Sequence, residues 1–304
     1  MRLLSLLIPA VLAGAAGPSS AQDAPPAFDL PTGASSLRFS GWGGPALTVE
    51  TYRPDDLPPD APIVFVMHGT NRNADDYRDA WIGIAEACRL AIVSPAFDRD
   101  HFPRAAGYNL GEPLRASGGV SAFDAIEPIF AAIHNALGST RTGYALFGHS
   151  AGAQFVHRFL MLTPDTRVER AVVANAGWYT WPDTGIGWPY GLDGAPRDPL
   201  PPAAIAALPV TLLLGEADTD PRAPHLRQTR EARAQGTSRF TRGIRTAARI
   251  DRMAVAAGLK HGWRVATVPD VGHDNARMAP AAVRHLVPEA IYNTPACRLA
   301  TNGD

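Results

Sequence analysis

The sequence predicts an α/β fold, a mostly parallel, doubly wound sheet flanked by helices on both faces. Three observations carry that expectation. Continuous apolar runs such as "APIVFVMHG" and "LAIVSPAF" suit strands buried on both faces. Segments with apolar residues at helical spacing alternate with those runs, as strand–helix–strand crossovers require. With 46% of its 304 residues hydrophobic, the chain can also bury a core of that size.

The elements follow in order. After a Pro-rich start, "SLRFS" and "ALTVETYRP" read as short strands separated by a Gly- and Pro-containing turn. "APIVFVMHG" is a buried strand, "ADDYRDAWIGIAEACRL" a helix and "LAIVSPAF" the next strand. "SAFDAIEPIFAAIHNAL" is helical, with Ser121 as N-cap and Asp124 as its reciprocal partner. "GYALFGHS" is a strand and "AGAQFVHRFLML" a helix. "ERAVVANAG" and "LPVTLLLGEAD" are strands, and a helix spans about Thr241 to Leu259. "WRVATVPDVGH" is the last strand and "ARMAPAAVRHL" a further helix. Residues 98–119 and 177–203 interrupt the rhythm with Gly, Pro and aromatics in no clear period, as functional loops do.

The first 21 residues carry one Arg, an apolar stretch of about a dozen residues and a run of small residues, the pattern of a secretory signal peptide. That stretch is shorter than the roughly 20 residues a spanning helix needs, and no later segment could span a membrane. The expectation is one exported domain over residues 22–304, periplasmic or secreted. A formal charge of −1 without basic clusters gives no reason to expect nucleic acid as a partner. Export permits a disulfide between Cys88 and Cys297, which would pin the tail to the body; two unrelated thiols are the alternative.

The chemistry centres on "YALFGHSAG". Gly148, His149, Ser150, Ala151 and Gly152 match G-x-S-x-G, a weak signal alone in a chain with 28 glycines. Here the pentapeptide joins a strand to a helix, at the carboxyl end of a parallel strand where such sheets place ligands. Glycines on both sides permit a turn sharp enough to lift the Ser150 hydroxyl clear of the sheet. A serine needs a base, and the base an orienting acid. Asp218 in the loop after "VTLLLG" and His273 in the loop after "RVATV" follow Ser150 in the required order. Asp218 is preferred over Glu216, and Asp220 is its rival. Oxyanion donors are expected from the backbone N–H of Ala151 and of Thr70, with Asn71 as the alternative to Thr70. Trp178, Tyr179, Trp181, Trp188 and Tyr190 are candidate substrate-binding residues, at least half of them expected to plug the loop into the core. The remaining histidines show no zinc-ligand spacing, and His149 is expected to pack beside the serine. No metal or organic cofactor is called for.

On "HGTNRNADDY", "GHSAG", "NAGWYT", "GEADTD" and "GWRVATVPDVGHDNARM", the chain resembles the α/β-hydrolases. Among these it is similar to the exported polyhydroxybutyrate depolymerases and feruloyl esterases. Some of those carry Cys where this chain has Thr70. The resemblance covers nearly all of the chain after its first 21 residues. It implies a serine hydrolase acting on small, aryl or hydroxyalkanoate esters through an acyl-enzyme. A peptidase or amidase, an acyltransferase, and a binding protein that keeps the fold without catalysis are the competing readings.

Overall fold

The computed structural model describes residues 29–302; the expected signal peptide lies outside them. Eight strands form one sheet: β1 (Gly33–Phe39), β2 (Leu47–Arg53), β3 (Ile63–Met67), β4 (Ala91–Ala96), β5 (Tyr144–His149), β6 (Val168–Ala174), β7 (Val210–Gly215) and β8 (Arg264–Val268). Their spatial order is β1-β2-β4-β3-β5-β6-β7-β8. β1 and β2 pair antiparallel, and everything from β4 to β8 is parallel. β3 has β4 on one side and β5 on the other, so the winding reverses there. The carboxyl ends of β3 and β5 therefore bound the crevice in which open sheets hold ligands.

The eleven described α-helices are α1 (Ala74–Asp79), α2 (Ile82–Cys88), α3 (Arg104–Gly107), α4 (Ile126–Leu137), α5 (Ala151–Leu162), α6 (Pro202–Ala207), α7 (Arg230–Gln235), α8 (Arg239–Ala256), α9 (Asn275–Leu286), α10 (Glu289–Tyr292) and α11 (Pro295–Asn302). The strands' period of two sorts their side chains onto two cores. Ile63, Phe65 and Met67 of β3 join Leu146 and the α4 and α5 residues in one. Val64 and Val66 join Ala145, Phe147 and residues of α1, α2 and α9 in the other. This is why the run "IVFVM" has no polar member.

Three expectations need adjustment. The single helix over "ADDYRDAWIGIAEACRL" is two, because the chain turns at Trp81 and drives its indole, fully buried, edge-on against Phe147 at 5.1 Å. The helix expected from Thr241 begins at Arg239. Ser238 and Thr241 cap it reciprocally, a Ser-x-x-Thr box in place of the commoner Ser-x-x-Glu. The insertion 98–119 is divided: Phe102 and Tyr108 are core residues packed on Phe97, Ala105 and Asn109 line a cavity beside Ser150, and much of the rest is exposed. The Ser121–Asp124 cap forms as expected, although the first turn it caps is a 3₁₀ turn. Cys88 of α2 and Cys297 of α11 are joined by a disulfide across 209 residues of sequence. Among the described residues no helix is long and apolar enough to cross a membrane.

Candidate active site

Ser150 sits between β5 and α5 with φ 58° and ψ −114°, a backbone conformation that a non-glycine residue holds only under constraint. The flanking glycines supply it. A Cβ on Gly148 would lie 2.3 Å from the Gly152 carbonyl, and one on Gly152 would lie 1.9 Å from the Met67 carbonyl of β3. The turn can therefore close only where both side chains are hydrogen.

Ser150 Oγ–H donates to His273 Nε2 at 3.0 Å, and His273 Nδ1–H donates to Asp218 Oδ2 at 2.8 Å. Asp218 is 4% exposed, whereas Glu216 and Asp220 are in solvent, the latter accepting from the Arg222 N–H. The loops that carry acid and imidazole are fastened to one another by Asn175 at the end of β6. Its Oδ1 accepts from the Gly215 N–H at 2.8 Å, and its Nδ2 donates to the Gly272 carbonyl at 3.0 Å. Asn175 is fully buried with φ 47°. Its position at a strand end was the one signal in the sequence.

Thr70, from the loop after β3, and Ala151, in the first turn of α5, line one cavity with Ser150. The β3 loop is held from below. The Phe97 N–H donates to His68 Nε2 at 3.1 Å, and the Tyr108 hydroxyl donates to the His68 carbonyl at 2.8 Å. Burial pushes the His68 imidazole down to about 3, so it serves as a neutral strut. Arg72 ties the same loop to the 98–119 insertion by donating to the carbonyls of Phe97, Phe102 and Arg104.

Two cavities meet at Ser150, Thr70, His225 and Arg239. The first also contains Tyr77, His149 and His273. The second contains Ala151, Gln154, Trp178 and Arg227. Of the five candidate aromatics, Trp178 alone lines these cavities. Tyr179 is fully buried against His157, and Tyr190 packs on Trp178 with its hydroxyl bonded to Arg227 Nε. Trp181 donates to Thr246 Oγ1 beneath the Arg249 guanidinium, and Trp188 is packed against the core. Their sequence neighbourhood over the sheet's carboxyl end does not bring them to the serine, because the loop folds back on α5, α7 and α8.

Around the second cavity the chain gathers arginines that sequence reading passed over. Arg158 is fully buried, with its guanidinium 4.1 Å over the Trp178 ring; Nε donates to Thr180 Oγ1 and Nη1 to the Asn109 carbonyl, while Nη2 has no partner among the described residues. Arg227 lies 4.9 Å from the same ring. Arg242, also fully buried, donates to the carbonyls of Gly236, Gly177 and Arg227. Arg239 pairs with Asp218 Oδ1 at 3.3 Å. Burial, reinforced by Arg227, holds Arg158 well below its ordinary value. Of these four guanidiniums only Arg239 is paired with a carboxylate among the described residues, which leaves an excess of positive charge in a poorly solvated place.

No family model and no curated relative matches this chain. Among solved structures it is similar to poly(aspartic acid) hydrolase-1 from Sphingomonas sp. KT-1, at 42% identity over 83% of this chain and 98% of that one, with a TM-score of 0.79. LpqC, a poly(3-hydroxybutyrate) depolymerase from Bordetella parapertussis, matches at 32% identity over 85% and 93% of the two chains, with a TM-score of 0.75. S-formylglutathione hydrolase from Staphylococcus aureus shares the fold at 17% identity and a TM-score of 0.53 over 85% and 96% of the chains. With the glycine-flanked serine at the β5–α5 turn and relatives of this similarity over most of its length, the chain belongs to the α/β-hydrolase family of serine esterases.

Proposed function

We propose that this protein is an exported serine hydrolase that cleaves carboxylic esters in two steps. Ser150 attacks the carbonyl as His273 takes its proton, and Asp218 orients the imidazole and balances the charge it gains. The backbone N–H groups of Thr70 and Ala151 receive the oxyanion. His273 then protonates the leaving alcohol, and a water resolves the acyl-enzyme by the same route. The observation that carries this reading is the unbroken run of hydrogen bonds from Ser150 Oγ through both His273 nitrogens to Asp218. Export rests on the first 21 residues and fits the Cys88–Cys297 disulfide.

The two cavities divide the substrate. The leaving group must lie next to the imidazole that protonates it, which assigns it the cavity containing His273. The acyl part then occupies the cavity of Trp178 and Arg227. An indole face there suits small, aryl or hydroxyalkanoate acyl groups, and the surplus guanidiniums favour an acyl chain that bears a carboxylate. That surplus, with the likeness to an enzyme named for poly(aspartic acid), supports a second reading, hydrolysis of amide bonds in an acidic chain.

The test is a set of matched p-nitrophenyl substrates: butyrate, hydroxybutyrate and hemisuccinate esters, and the corresponding anilides. Ester turnover, with fluorophosphonate labelling that disappears in Ser150→Ala, is the expected result. Anilides turned over as fast as esters would favour the second reading. An unlabelled, inactive wild-type protein would leave only a binding role.

A further inference from the structure

His273 comes from the loop after β8, and its side chain is 27% exposed. Its two hydrogen bonds, from Ser150 and to Asp218, lie along the edge of the ring. Neither resists a rotation about the line that joins the two nitrogens. What packs on the ring face decides that tilt, and the residue found there is His149, with centroids 4.5 Å apart and planes inclined by 35°.

His149 is itself anchored. Its Nδ1 lies 3.1 Å from the Tyr77 hydroxyl, while its Nε2 is buried without a partner. The Tyr77 hydroxyl abuts Gly69, where an added Cβ would come within 2.7 Å of it. The row Gly69–Tyr77–His149–His273 thus joins the loop after β3, helix α1, strand β5 and the loop after β8. The charged and titratable groups acting on His149 are His273 and Arg239, and Asp274 acts on Tyr77. Burial first, then the His273 imidazole and the Arg239 guanidinium, hold the His149 imidazole well below its ordinary value. The face it offers to His273 is therefore uncharged, and an imidazolium forming on His273 meets no like charge there.

We propose that Tyr77 and His149 are a pair of positioning residues: the phenol fixes the His149 ring, and the His149 ring fixes the tilt of His273 toward Ser150. The proposal rests on the reading of Ser150 and His273 as nucleophile and base. Both residues act through His273, so their loss should appear in kcat and leave KM in place.

Tyr77→Phe, His149→Leu, His149→Phe and the Tyr77→Phe/His149→Leu double variant of the full chain would be assayed on one p-nitrophenyl ester, with kcat and KM measured separately. Tyr77→Phe should lower kcat about 5-fold and His149→Leu about 30-fold, with KM within about 2-fold of wild type in both. The double variant should be no slower than His149→Leu, because Tyr77 then has nothing left to hold. His149→Phe, which restores a flat uncharged face, should recover part of the loss. Unchanged kcat in Tyr77→Phe, multiplying losses in the double variant, or a loss confined to KM would each overturn the proposal. Should His149→Leu fail to fold, Tyr77→Phe decides alone: a folded variant with wild-type kcat rejects the pair. Failure of the underlying reading would look different, as absent fluorophosphonate labelling of the wild-type protein.

Discussion

The two cavities that share Ser150 are walled by different chemistry. One contains imidazoles and a phenol, from His149, His273 and Tyr77, and the other an indole and a guanidinium, from Trp178 and Arg227, while Arg239 lines both. The difference follows from what each element can deliver. Helix α1, the end of β5 and the loop after β8 bring Tyr77, His149 and His273 to one side of the serine. The loop after β6 brings Trp178, and the segment between β7 and α7 brings Arg227, to the other side.

The sharpest way to break this contrast is to remove the imidazole. His273→Ala should lower kcat on a p-nitrophenyl ester by at least about 10⁴-fold while leaving the second cavity's ligand affinity in place, measurable by inhibition with a small dicarboxylate. Asp218→Asn should cost about 10³- to 10⁴-fold in kcat through loss of the orienting acceptor. Asp220→Asn, in solvent, should change it by less than about 2-fold.

Acid should weaken the fold on both sides of the serine through its buried neutral imidazoles. His68, His149 and His157 are fully buried and held below their ordinary value chiefly by burial, His68 down to about 3. The unfolded chain therefore binds these protons more readily than the folded one. Their contribution is intact above the unfolded value near 6.5 and is lost as pH falls toward the folded values. For His68 this costs on the order of 1 kcal/mol at pH 5.5, and His149 and His157 act in the same direction. Urea unfolding at pH 7.5 and 5.5 would measure this loss, and equal midpoints would refute it.

The smallest effect sharpens the cationic side. Arg227→Gln should reduce kcat/KM for a hemisuccinate ester by about 10-fold and that for the uncharged butyrate ester by less than about 2-fold. Equal losses on both esters would show that Arg227 supports Trp178 and Tyr190 and does not read charge.

Much of this was written in the order of residues. The eight strands follow from apolar runs and alternation, because a strand buried on both faces is mostly apolar and admits a polar side chain such as Ser94 only where it finds a partner, here the Val66 carbonyl. The turn at Ser150 follows from two glycines whose absent side chains the neighbouring carbonyls require. Signals that depend on a short local rule survived into three dimensions. Those resting on a less common form of a rule did not, as with the Ser238–Thr241 cap that starts α8 two residues early.

Sequence alone therefore determined the sheet, the nucleophile turn and the chain order of serine, acid and histidine, since each is set by periodicity or by sterics within a few residues. Tertiary structure decided which of Glu216, Asp218 and Asp220 meets His273, that Cys88 reaches Cys297, and that Trp178 alone among five aromatics reaches the cavities. It also drew together Arg158, Arg227, Arg239 and Arg242, which lie in three separate segments, and set Asn175 between two loops. The choice among chemically similar neighbours is made by the path of a loop. That path depends on what the rest of the chain leaves room for, which no local pattern records.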